Sequence, residues 1–271
     1  MARNSTPPSS LIISIDVELR RVAAVASDQP ARISLVEHRS RIESQRQLLQ
    51  LFQQARIPAT WGFSDPANSQ FVSELIDESG MHEVALLGDA SWISLETGRR
   101  GFCQHLVQRV ADARRAGCEL STLAVYDGQL QDDYDLLAKH QISMVRQPRR
   151  KQRAAKDVPR HRTLRYGLWE APRATCVSPS TKLWAKRSSM VINRAIRRTI
   201  RHGGIGHIAL DMTAGQYASA QGLGFVSRVL ETINKYQRDG QLEVCTLREL
   251  ATRWRPGQQV VTARSLLRVA A

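Results

Sequence analysis

Ile57-Pro58-Ala59-Thr60-Trp61-Gly62-Phe63, followed downstream by His82-Glu83-Val84-Ala85-Leu86-Leu87-Gly88-Asp89, is the pair of stretches on which the fold turns. Ala59 to Phe63 and His82 to Leu87 are short, compact apolar runs of the kind that form buried strands. Between them Phe71, Leu75 and Ile76 recur at helical spacing, and Gly80 stops that helix. A strand, a helix and a second strand in succession point to parallel pairing through a crossover.

The same alternation extends in both directions. Upstream, Leu11 to Ile15 is a β-type run behind a Pro/Ser-rich leader, and Leu48, Leu49 and Phe52 share a helix face that ends near Ile57-Pro58. Downstream, Phe102, Leu106, Val110 and Ala113 predict a helix up to Gly117, with strands at Leu120 to Val125 and Ile142 to Val145 around a helix near Tyr134 to Leu137. Ile205 to Leu210 is a strand, Val226, Val229, Leu230 and Ile233 mark a helix, and Leu242 to Cys245 is a last strand before a short helix ending near Trp254. Such a series predicts a parallel sheet, open or closed into a barrel; periodicity does not choose between them. At 271 residues the chain is long enough for one large α/β domain or two small ones. The organisation expected is a disordered leader over 1–10, one domain over 11–254 and a basic tail over 255–271, with 146–204 either an insertion or a divergent pair of barrel units.

Charge is the unusual bulk property. The formal balance is +14, and between Val145 and Gly204 seventeen Lys or Arg face only two acids, Asp157 and Glu170. The excess is therefore local, and the rest of the chain is close to neutral. Such a field suits a polyanionic partner (nucleic acid, anionic polysaccharide or a membrane surface) or simply a solvated basic surface. Within it Arg194, Arg197, Arg198 and Arg201 form one helical stripe opposite Ile192, Ile196 and Ile200, the pattern of a polyanion-binding helix or of an ordinary packed one. Cys103, Cys118, Cys176 and Cys245 are scattered, which argues against a disulfide framework or zinc finger and for reduced thiols in a cytoplasm. No stretch approaches the ~20 apolar residues of a membrane span, and the polar N-terminus carries no signal-peptide core. A soluble, cytoplasmic protein is expected.

Four segments, in order, resemble the polysaccharide deacetylase family, also called the NodB-homology domain. They are Ile13-Ser14-Ile15-Asp16-Val17-Glu18, Leu48 through Phe63 with its Ile57-Pro58-Ala59-Thr60, His82 through Asp89, and His207 through Asp211 with the ending Thr246-Leu247-Arg248-Glu249-Leu250. The resemblance implies a distorted (β/α) barrel with its site at the C-terminal ends of the strands. It also implies a zinc ion held by one Asp and two His, an Asp as general base, and a later His that protonates the leaving amine.

The chain departs from that set at almost every point. Asp16 stands at the base position, but Val17 follows where the metal-binding Asp is expected. The two His ligands, five positions after His82 and four beyond, correspond to Leu87 and Ser91. Asp211 occupies the catalytic His position, and Leu123-Ala124-Val125-Tyr126-Asp127 carries neither the Arg nor the Pro that the family places there. The expected metal is therefore none. Asp16, Glu18, Asp89 and Asp211 could instead gather as carboxylates at one mouth, to hold Mg²⁺ or Ca²⁺ through oxygens or to share a proton; serving loops and helix N-termini is the plainer role. Trp61, Trp92 and His207 are candidates for carbohydrate binding, with core packing as the alternative; His82 matches a family position outside the metal set and reads as structural. The expectation is a degenerate deacetylase-like protein of carbohydrate metabolism, a pseudoenzyme. An active hydrolase of C–N bonds and a polyanion-binding protein are the alternatives.

Overall fold

The computed structural model describes residues 8–17, 35–68, 70–77, 80–148, 162–177, 184–212 and 220–254. The strands are β1 (Ser9–Asp16), β2 (Thr60–Phe63), β3 (Glu83–Gly88), β4 (Thr122–Val125), β5 (Met144–Arg146), β6 (Arg162–Thr163), β7 (Trp169–Glu170), β8 (Thr175–Val177), β9 (Ile205–Asp211) and β10 (Leu242–Cys245). The helices are α1 (Leu35–Ala55), α2 (Gln70–Asp77), α3 (Gly98–Arg115), α4 (Tyr134–Lys139), α5 (Trp184–His202), α6 (Ala220–Arg238) and α7 (Leu247–Arg253). The ten strands form one sheet in the order β6-β7-β5-β4-β3-β2-β1-β9-β8, with β10 also paired to β1. Every pairing is parallel except β6 with β7.

Strand period explains the two cores. On β1, Leu11, Ile13 and Ile15, with Val17 just beyond it, belong to the large cluster under the helices, which also takes Trp61, Phe63, Leu86, Leu123 and Val145. Ile12 points the other way and packs with Met144, Cys245, Leu247, Leu250 and Ala251. Ile12, Ser14 and Asp16 therefore share the inner face of the sheet, and so, by the same alternation, do Met144 and Arg146 on β5. Arg146 lies 2.6 Å from Asp16 although three strands separate β5 from β1. In a flat sheet those strands would stand about 19 Å apart at ~4.8 Å per step, out of reach of one arginine. The contact closes only because the sheet curls, and the architecture is a distorted (β/α) barrel.

The bottom of the barrel is held by Glu83, a buried carboxylate at the start of β3. It accepts hydrogen bonds from Thr60 Oγ1 (2.9 Å), Thr122 Oγ1 (2.5 Å), Ser121 Oγ (3.1 Å) and the backbone N–H of Arg248 (2.9 Å). The last of these, with Leu247 N–H donating to Thr60 Oγ1 at 3.0 Å, ties the first turn of α7 across the strand ends. A capping box between Thr246 and Glu249 starts the same helix.

The structure refines the sequence reading at two places. β1 begins at Ser9, inside the stretch assigned to the leader, because Ser9 and Ser10 pair with Leu242 and Glu243. The described parts of 146–204 are barrel material: β6, β7 and β8 extend the sheet, and α5 packs on β8, β9 and α6. Residues 1–7 and 255–271 lie outside the described residues, as do Arg149, Arg150, Lys151 and Arg160.

Candidate functional site at the strand ends

Four polar side chains meet at the C-terminal end of the barrel because each closes or follows a strand on its inner face. Asp16 ends β1, Asp211 ends β9, Arg146 ends β5 and Tyr126 follows β4. Asp16 and Asp211 are direct partners in the β1–β9 register, and both are buried. Tyr126 Oη donates to Asp211 Oδ2 across a long 3.4 Å.

Arg146 is the organising group. Its side chain is 5% exposed and that of Asp16 1%, so the pair is removed from water. Nη2 donates to Asp16 Oδ1 at 2.6 Å, and Nη1 donates to Ser14 Oγ at 2.9 Å. Ser14 Oγ lies 2.9 Å from His207 Nε2, and His207 Nδ1 lies 2.8 Å from the Pro172 carbonyl. The direction of each bond follows. A carbonyl only accepts, so Nδ1 carries the proton. Burial, with Arg146 nearby, pushes the His207 pKa down to about 3, so the ring is neutral and Nε2 accepts from the Ser14 hydroxyl. Ser14 in turn accepts from Arg146. The result is a chain directed outward from Arg146, which donates to Asp16 on one side and, through Ser14 and His207, leads to the Pro172 carbonyl on the other.

The wall beside this chain is small and apolar. A Cβ on Gly62 would stand 3.3 Å from Leu87 Cδ1 and 3.5 Å from Asp16 Oδ1, so the bare backbone of β2 lets the carboxylate and Leu87 approach. Ala85, Ala124 and Ala209, buried on neighbouring strands, alternate onto the same inner face and leave room for the guanidinium.

The donor set does not fit the zinc site that the family resemblance implies. Val17 is buried in the outer core, on the face opposite Asp16. Leu87 offers only hydrocarbon. Both the N–H and the hydroxyl of Ser91 donate to Asp89. The one expected residue that remains, Asp16, is engaged by a cation already. A zinc centre needs three or four well-placed N, O or S donors, and these positions do not supply them.

The other sequence candidates fall in different places. Asp89 is turned into its own loop by Ser91, while Ala90 N–H donates to Asp127 at 2.7 Å. Glu18 lies outside the described residues. Among the described residues no three His, Cys, Asp or Glu side chains are placed to hold a metal ion. Trp61 and Trp92 are fully buried, Trp61 against Phe52 and Phe71, and Trp92 stacked on Phe102 with Arg109 over its face. His207 reaches the site through Ser14. His82 packs edge-on to Trp61 and Phe52, and burial pushes its pKa down to about 4. Arg194, Arg197, Arg198 and Arg201 are exposed along α5. All four cysteines are free thiols.

Arg146 is the residue that sequence reasoning missed. It sits immediately after the apolar run Ile142 to Val145 and before Gln147-Pro148, where composition groups it with the basic segment. Its signal was position: the last residue of a strand, two after the inward-facing Met144.

Comparison with known proteins places the fold. No family model matches the chain, and no curated protein matches it. Among solved structures, a provisionally named polysaccharide deacetylase from Mycobacterium smegmatis superposes with a TM-score of 0.70 at 11% identity, over 93% of this chain and 92% of that one. A CE4 family pseudoenzyme from Bacillus anthracis matches with a TM-score of 0.51 at 13% identity, over 91% of this chain and 66% of that one. A GH57-type branching enzyme from Pyrococcus horikoshii matches with a TM-score of 0.56 at 10% identity, over 91% and 70%. At such identities the likeness is one of fold: the distorted (β/α) barrel of the CE4 deacetylases. No helix of the described residues is long and apolar enough to cross a membrane.

Proposed function

We propose that this chain is a polysaccharide-deacetylase-like protein of carbohydrate metabolism whose barrel mouth no longer carries out metal-dependent deacetylation. The observation that carries this reading is the buried Asp16–Arg146 pair. The carboxylate at the base position is held by an internal cation and lies beside Leu87, where the resemblance expects a metal-ligating imidazole. The fold it shares with a provisionally named deacetylase and a CE4 pseudoenzyme supports the same reading. Carbohydrate recognition at the strand ends, without cleavage, is the role left to such a barrel. The test is acetate release from an acetylated chitooligosaccharide with and without added zinc. No acetate above the buffer blank is expected, and metal-dependent release would overturn the proposal.

One observation favours a second reading, an active hydrolase of C–N bonds. Asp16 and Asp211 stand side by side on adjacent strands, with the Tyr126 hydroxyl on Asp211. Two neighbouring carboxylates can share a proton or bind a hard divalent cation through oxygens. This reading requires turnover that is lost on replacing either Asp16 or Asp211 with Asn.

A further inference from the structure

Helix α5 has two unlike faces. Ile192 and Ile196 are fully buried and Ile200 packs on the same core, which seats the helix on the barrel. Ser9 Oγ donates to the Thr199 carbonyl at 3.2 Å and fixes it there. The outward face carries Arg194, Arg197, Arg198 and Arg201, all exposed. Met190 and Val191 share that face, 59% and 45% exposed. Positions 190, 194, 197 and 201 follow the helical repeat, so Met190 continues the row of arginines. The sequence of α5 contains six Lys or Arg and no acid.

We propose that this face of α5 docks on an anionic lipid surface. The arginines alone would suit any polyanion, but the apolar pair decides between occupants. Among the six large apolar side chains that the described residues leave exposed, only Met190 and Val191 are neighbours in sequence. A nucleic-acid backbone would satisfy the guanidinium groups and leave both side chains in water. A bilayer takes both chemistries at once: guanidinium groups meet lipid phosphates while the thioether and isopropyl groups enter the headgroup–acyl boundary. The inner isoleucines stay in the barrel core, so the helix lies on the surface as part of the folded protein.

The experiment is co-sedimentation of the full chain with phosphatidylcholine vesicles, with and without phosphatidylglycerol, beside binding to a duplex oligonucleotide. The protein should pellet with the anionic vesicles and stay in solution with the neutral ones. Each arginine near an anionic surface is worth roughly fivefold in binding, so R194Q/R197Q/R201Q should lose on the order of a hundredfold. M190S/V191S should weaken vesicle binding by at least about tenfold, since each methylene kept from water contributes about a factor of four and the two side chains together offer more than two, and should leave oligonucleotide binding unchanged. Both variants change exposed side chains only, and an unchanged unfolding midpoint verifies their folding. No pelleting with anionic vesicles overturns the proposal. So does vesicle binding that survives M190S/V191S and is competed away by the duplex, which would make the face a general polyanion site.

Discussion

The guanidinium of Arg146, at the end of β5, stands 2.6 Å from the carboxylate of Asp16, at the end of β1, with β4, β3 and β2 between them in the sheet. This pair joins opposite walls of the barrel at the C-terminal ends of the strands. A buried ion pair is maintained because each charge satisfies the other, and removing one partner leaves the second without compensation. Arg146→Met and Asp16→Ala are each expected to cost about 3–5 kcal/mol. Asp16→Ala combined with Arg146→Met should cost clearly less than the two separate losses together. Urea unfolding of the four proteins gives the coupling; additive losses would show that the contact carries no energy of its own.

Acid should destabilise the protein well above the carboxylate range. Burial lowers the folded-state pKa of His207 from 6.5 to about 3 and that of His82 from 6.5 to about 4. The unfolded chain therefore takes up protons that the folded chain refuses. Their contribution is fully present above about pH 6.5 and is lost as pH falls, with a slope approaching about 1.4 kcal/mol per pH unit for each ring. Unfolding midpoints measured from pH 7.5 to pH 5 should fall steadily. His207→Gln should start from a lower midpoint and show a shallower slope; an unchanged slope would mean that His207 titrates normally in the fold.

Glu83 closes the bottom of the barrel with four hydrogen bonds to β2, β4, the residue before β4 and α7. Glu83→Ala strips the partner from the buried hydroxyls of Thr60 and Thr122 together with the first turn of α7. At about 1–3 kcal/mol for each buried group left unsatisfied, the loss should be at least ~3 kcal/mol. Glu83→Gln keeps the shape and one acceptor oxygen and should cost less than half as much. Equal losses in the two variants would show that the full set of carboxylate acceptors, and not the shape of the side chain, sets the effect.

How far the sequence reveals this arrangement differs from residue to residue. The strand at Ile205 and the helix at Phe102 were legible because local periodicity records which face is buried. The order of the four family-like segments carried the barrel: Ile57-Pro58-Ala59 leads into β2 and His82 into β3, and the two strands pair in parallel from Thr60 and Glu83 onward. The Asp16–Arg146 contact was not legible, for 130 residues separate the two in sequence and only the curl of the sheet joins them. Trp61 and Trp92 carried an equal ambiguity: an indole in a strand or loop packs a core as readily as a sugar, and burial here places both in the core. Asp89 reads as one more carboxylate at a strand end until the Ser91 N–H is seen to take its oxygen.

The proposed function rests on Asp16 being held by Arg146 in place of a metal ion. Calorimetric titration of zinc into the wild-type chain and into Asp16→Asn tests it most directly. Superimposable isotherms are expected, with any weak binding arising elsewhere on the surface. A stoichiometric zinc site present in the wild-type protein and absent from Asp16→Asn would contradict it.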